Sequence, residues 1–228
     1  GNRLVVPPGT IATVNRDVGK LEGVGTDDVP AVQAGFDTPQ GLFATAEGLY
    51  IVDTKKGPSQ PCSTQASICR RTSLIRFLNT TNAPITFYPA NANPVIVAPG
   101  YLKTIAGGGV DSNANINDGT EPLQAKFTGS ADIVIASNGD MFIADAGNGT
   151  VRKITRANGT VARLLGLGGF NALALSAFQS QYTSVLLDSA GRLLTAVSAS
   201  QADEIALQIC PDGRAFAFQK VCPVDKMK

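Results

Sequence analysis

Runs of roughly four to seven β-branched and apolar residues, set apart by Gly, Pro, Asn and Asp, recur along nearly the whole chain. Stripes at helical spacing are almost absent, so the pattern predicts short strands. The clearest block spans 127–166, FTGSADIVIASNGDMFIADAGNGTVRKITRANGTVARLLG. It predicts four strands, Asp132 to Ala136, Asp140 to Ala144, Thr150 to Thr155 and Thr160 to Leu165, joined by Ser-Asn-Gly, Ala-Gly-Asn-Gly and Ala-Asn-Gly turns. Those turns supply the positive φ angles that tight hairpins require. Four antiparallel strands in about forty residues have the dimensions of one propeller blade.

The pattern returns on either side. FDTPQGLFATAEGLYIVDT (36–54) offers the first two strands of such a unit, and YLKTIAGGG (101–109) its last. Downstream, YTSVLLDSAGRLLTAVS (182–198), EIALQIC and RAFAFQK supply four more, while NRLVV and TIATV near the start resemble the last two strands of a preceding unit. The sum is about three and a half blades in a single all-β domain over 1–228.

These residues carry a resemblance. Asn138-Gly139-Asp140-Met141-Phe142-Ile143-Ala144-Asp145, then Gly147-Asn148 and Val151-Arg152-Lys153-Ile154, with Asp118-Gly119 and Ala125-Lys126-Phe127 ahead of them, are similar to the NHL repeat. Lys103-Thr104-Ile105-Ala106-Gly107 resembles the strand that ends such a repeat. The likeness is close over 101–166, looser over 25–54 and thin after 180, where Val197 stands in place of the motif's Asp; it is absent from 55–100. The resemblance implies a β-propeller that serves as a binding platform, a minority of relatives being lyases or hydrolases with metal-dependent sites in the central channel.

Residues 55–100 depart from the repeat. GPSQPCSTQASICRR is rich in turn formers, and SLIRFLN, PITFYP and PVIVAPG follow as three strand-like runs holding Phe77, Phe87 and Tyr88. They read as a long hairpin inserted in one blade and rising from the propeller face, where ordered insertions commonly bind partners.

Composition narrows the chemistry. The chain has 228 residues, 43% of them apolar, which suffices for a core. Its 24 glycines and 13 prolines favour short elements over long helices. With 19 Lys and Arg against 18 Asp and Glu, and a net charge of +1, no basic field exists to gather phosphates, and nucleic acid is not an expected partner. No apolar run reaches the roughly eighteen residues of a membrane span. Histidine is wholly absent, which removes the usual partner of a Ser or Cys nucleophile and the commonest metal ligand. No phosphate-binding lysine loop, G-x-S-x-G elbow or S-x-x-K is present.

The four cysteines fall in two local pairs, Cys62 with Cys69 and Cys210 with Cys222. Their spacing matches no zinc or C-x-x-C redox motif, so disulfides are the first choice over buried thiols. Closing so small a ring as 62–69 would stabilise by about two to three kcal/mol. Disulfides imply a secreted, cell-surface or periplasmic protein.

Asp53 and Asp145 sit at matching ends of second strands. A carboxylate pair lining a channel could bind a cation or act as acid and base, whereas as turn residues they would accept N–H bonds from the turn that follows. Repetition favours the turn role, because each blade needs the same turn while an active site needs asymmetry; Asn148 belongs to the same turn. Asp111, Asn113, Asn115 and Asp118 alternate as in a calcium loop, but Ile116 and Pro122 stand where an EF-hand requires Gly and Glu, and an ordinary polar loop is the simpler reading. Asn79, Asn148 and Asn158 begin formal N-glycosylation sequons, two of them in turns that want Asn-Gly anyway. The expectation is a non-enzymatic scaffold without a cofactor whose partner is protein or further copies of itself; the alternative is a calcium-dependent lyase or hydrolase.

Overall fold

The computed structural model describes residues 27–54, 72–109, 119, 121–166, 181–189, 191–199, 202–209 and 215–217. Among them the chain is all-β, with three single-turn 3₁₀ segments and no α-helix. The strands run β1 (Val29–Pro30), β2 (Pro39–Ala44), β3 (Gly48–Thr54), β4 (Thr72–Asn79), β5 (Ile85–Phe87), β6 (Val95–Val97) and β7 (Tyr101–Gly107). There follow β8 (Phe127–Thr128), β9 (Asp132–Ile135), β10 (Met141–Asp145), β11 (Thr150–Ile154) and β12 (Val161–Gly166). The last four are β13 (Gln181–Leu187), β14 (Leu193–Ala199), β15 (Ala202–Ile209) and β16 (Ala215–Ala217).

Three larger antiparallel sheets result. Sheet 1 has the order β2-β3-β4-β7, extended by β1 on the β7 edge and by β8, which pairs with β4. Sheet 2 is β9-β10-β11-β12 and sheet 3 is β13-β14-β15-β16. In sheet 2 the turn chemistry acts as the sequence predicts: Gly139, Gly149 and Gly159 all take positive φ. The oxygen of Asn138 accepts the N–H of Asp140, and that of Asn158 the N–H of Thr160. The predicted strands of this block hold to within a residue.

The sheets pack face on face. Tyr50 and Val52 of β3, with Ile75 and Phe77 of β4, meet Met141, Ile143 and Ile133 of sheet 2 in the main core. The opposite face of sheet 2, with Val134, Ala144 and Val151, meets Val185 and Leu193 of sheet 3. The far face of sheet 1, with Ile51, Leu78 and Leu102, packs under Ala34 and its neighbours in the segment that enters β2. Alternation along each strand makes this stacking available, since both faces of a sheet can be apolar when both are covered.

The stretch after 72 differs from the predicted insertion. SLIRFLN is β4, the third strand of sheet 1, paired with β3 along its whole length. What is added is the small hairpin β5–β6, and it does not rise from a face. It is wedged between sheets 1 and 2: Phe87, Tyr88, Val95 and Val97 lie in the main core, and the Tyr88 hydroxyl donates to the Ile105 carbonyl at 2.9 Å. The N–H groups of Tyr88 and Ala90 donate to the carbonyls of Arg156 and Ala157 in sheet 2. The Arg156 guanidinium lies 3.7 Å from the Phe87 ring centre and donates to the Thr86 carbonyl at 2.6 Å. Aromatic rings clustered in so short a segment gain more from burial than from exposure on a projecting hairpin.

Candidate functional site

The two carboxylates singled out from sequence are fully buried, each in a unit of the same design. Asp53, in β3, accepts the N–H groups of Asp37 at 3.0 Å and Thr38 at 3.1 Å on Oδ1, and Arg76 Nη1 at 3.3 Å on Oδ2. Arg76, from β4, also donates Nη1 to the Gly35 carbonyl at 2.6 Å, and its guanidinium lies 5.2 Å from the Phe36 ring centre. Asp145, the last residue of β10, accepts the Thr128 N–H at 2.8 Å and the Ser130 hydroxyl at 3.0 Å on Oδ1. Its Oδ2 accepts Asn148 Nδ2 at 2.8 Å, with Arg152 Nη1 at 3.8 Å. Arg152 donates to the Lys126 carbonyl at 2.7 Å and lies 4.8 Å from the Phe127 ring centre.

Each unit thus ties the end of a second strand to the segment that enters its sheet. Among the described residues the donors come chiefly from the segment ahead of the first strand, Asp37–Thr38 and Thr128–Ser130, and Asn148 is the one donor in the turn that follows. The segment ahead of the first strand is extended, and buried N–H groups with no ladder partner must find an acceptor.

A buried polar thread continues from Asp145 into sheet 1. Ser130 N–H donates to Ser73 Oγ at 2.8 Å, and Ser73 Oγ lies 2.9 Å from Thr54 Oγ1. All of these side chains are buried, so the thread joins sheets 1 and 2 through a water-excluded seam. Burial pushes the Asp145 carboxyl up to about 6, an effect that the bonds from Thr128, Asn148 and Ser130 and the Arg152 charge only partly offset. Asp140 moves the other way: partial desolvation would raise it, but Lys153 at 2.7 Å, the Arg156 N–H and Asn138 together hold it below its ordinary value.

In sheet 3 the unit is absent by register. Val197 takes the place of the aspartate, and Leu207 pairs with Thr195 as Arg76 pairs with Ile51 and Arg152 pairs with Ile143.

Both oxygens of each carboxylate thus accept hydrogen bonds from the protein's own donors. Among the described residues no three acidic or thiol side chains converge so as to hold a metal ion. Cys62, Cys69, Cys210 and Cys222, and the alternating Asp111, Asn113, Asn115 and Asp118, lie outside the described residues. Of the sequon asparagines, Asn79 is buried and donates to the carbonyls of Ala83 and Val97, Asn148 is bound to Asp145 and the Lys126 carbonyl, and Asn158 is exposed in a hairpin turn.

The arginines and phenylalanines went unassigned in the sequence reading, as did Ser73 and Ser130. A signal was present: Gln33-Ala34-Gly35-Phe36 and Gln124-Ala125-Lys126-Phe127 are two copies of one segment. Each begins on the last residue of a 3₁₀ turn, buries its Ala completely, offers the carbonyl before Phe to the arginine and sets the Phe ring against the guanidinium. No protein-family model matches this chain, and none of the curated proteins matches it in sequence.

Proposed function

We propose that the chain is an arc of a β-propeller built from NHL-like blades, acting outside the cytoplasm as a non-enzymatic scaffold or protein-binding module. The observation that carries this reading is the repeated acid, arginine and phenylalanine unit. The most catalytic-looking side chains recur in equivalent places in sheets 1 and 2, with their acceptors occupied by the protein's own donors. A catalytic centre would set one such group apart with a vacant side; a repeated joint does not. One six-stranded and two four-stranded antiparallel sheets, stacked in chain order and face on face, support the propeller arrangement.

Elemental analysis of the purified chain is expected to find no stoichiometric divalent ion, and added calcium is expected to leave the melting temperature unmoved. One tightly bound ion per chain, with calcium raising that temperature, would favour the calcium-dependent lyase or hydrolase instead. The extracytoplasmic assignment rests on the paired cysteines. Non-reducing peptide mapping is expected to join Cys62 to Cys69 and Cys210 to Cys222, and four free thiols would overturn it.

A further inference from the structure

Sheet 2 carries all three Asn-Gly pairs of the chain, one in each of its turns: Asn138-Gly139, Asn148-Gly149 and Asn158-Gly159. Such a pair has a chemistry of its own. The backbone nitrogen of the Gly can attack the side-chain amide carbon of the Asn, since Gly has no Cβ to hinder the approach. A nitrogen–carbon bond forms, the bond to Nδ2 breaks, and ammonia leaves with the Gly proton. Water then opens the five-membered imide at either carbonyl, giving aspartate or isoaspartate. To react, the Asn side chain must swing onto the Gly nitrogen, and the bonds that hold it elsewhere must break first.

The fold makes the three pairs unequal through the side chain alone. Their backbones start alike: each Gly takes positive φ, and the N–H groups of Gly139, Gly149 and Gly159 donate to the carbonyls of Ala136, Ala146 and Thr155 at 2.8, 2.9 and 2.9 Å. Asn138 is held at both ends, Oδ1 accepting the Asp140 N–H at 3.0 Å and Nδ2 donating to the Asp140 carboxylate at 3.1 Å. Asn148 is half-buried, and its Nδ2 donates to the Asp145 carboxylate at 2.8 Å and the Lys126 carbonyl at 3.3 Å. Asn158 is exposed, and a single bond holds its side chain, from the Thr160 N–H to Oδ1 at 3.0 Å; among the described residues its Nδ2 has no acceptor. We infer that Asn158 is the site of spontaneous deamidation in the folded chain, ahead of Asn138 and Asn148.

The isoaspartate product fits poorly where Asn158 stands. It adds a carbon to the main chain of a turn that is closely backed. Gly159 is buried, with Pro122 Cγ 2.6 Å and Tyr88 Cγ 3.1 Å from where a Cβ would lie, and the Asn158 carbonyl accepts Asn91 Nδ2 at 3.1 Å. A lengthened turn cannot keep both contacts, so the modification loosens the β11–β12 turn from the β5–β6 hairpin and lowers the melting temperature.

The test is peptide mapping by mass spectrometry on the full 228-residue chain, aged at mildly alkaline pH in its folded state and, in parallel, in urea. In the folded chain the conversion of Asn158 to aspartate and isoaspartate is expected to lead that of Asn138 and Asn148 by about tenfold, the worth of one hydrogen bond to a charged acceptor. In urea the three pairs should react at like rates. Conversion led by Asn138 or Asn148, equal conversion at all three in the folded chain, or conversion in urea alone would overturn the inference. The aged folded chain should melt below the fresh one, and Asn158→Gln, whose longer side chain closes a ring far more slowly, should keep its melting temperature on ageing. An Asn158→Gln chain that loses as much as the unaltered one would overturn the link between this turn and the loss.

Discussion

At the last residue of β10, burial works against charge. Asp145 releases its proton in the folded protein only near pH 6, whereas an unfolded chain releases it near 4. Between these values the folded state holds more protons than the unfolded, so this residue's contribution to stability is greatest below pH 4 and declines as pH rises through 6. Asp140 has the opposite sign: its folded value is depressed, and its contribution is present above about pH 4 and lost on further acidification. Urea unfolding of the unaltered chain and of Asp145→Asn at pH 4.5 and 6.5 checks the first of these. The stability advantage of the unaltered chain should be larger at pH 4.5, and an equal advantage at both values would refute the assignment. At this scale half of the site was legible. An aspartate ending an apolar strand stands out in a sequence, but its arginine does not: Arg76 reaches Asp53 from across residues 55–71, and no local pattern joins the two.

At the scale of elements, what the sequence announced was local. The strands of sheet 2 are linked by Asn-Gly and related turns whose backbone demands are written in two or three residues, and those strands fall where the pattern puts them. The error came where pairing is not local. β4 follows an insertion and looks like part of it, although it completes sheet 1 by pairing with β3 and β7. Its neighbour β8 pairs with β4 at Thr72 and Ser73, a contact that only the folded chain reveals. The departure of residues 55–100 from the repeat suggests an inserted hairpin rising from a face, but nothing local tells that the aromatics of β5–β6 have sheets to cover them. Sheets 1 and 2 do so, with Arg156 bonded both to the hairpin and to Glu47 in the β2–β3 turn.

At the scale of the molecule, the described chain is a stack in which each sheet meets the next through opposite faces, and the acid, arginine and phenylalanine units fasten the first two sheets to the segments that lead into them. The central claim is that these buried carboxylates hold the stack together and do not bind a ligand. Thermal unfolding of Asp145→Ala beside the unaltered chain, each with calcium and with a chelator, tests it most directly. Removing the carboxylate strips acceptors from Thr128, Ser130 and Asn148 and leaves the Arg152 charge buried without its partner, a loss of about 3 kcal/mol or more. In a chain of this length the account predicts a melting temperature lower by roughly 6 to 12 °C, by the same amount with and without calcium. A variant that melts with the unaltered chain in chelator, but no longer gains the stability that calcium gives the unaltered chain, would contradict it.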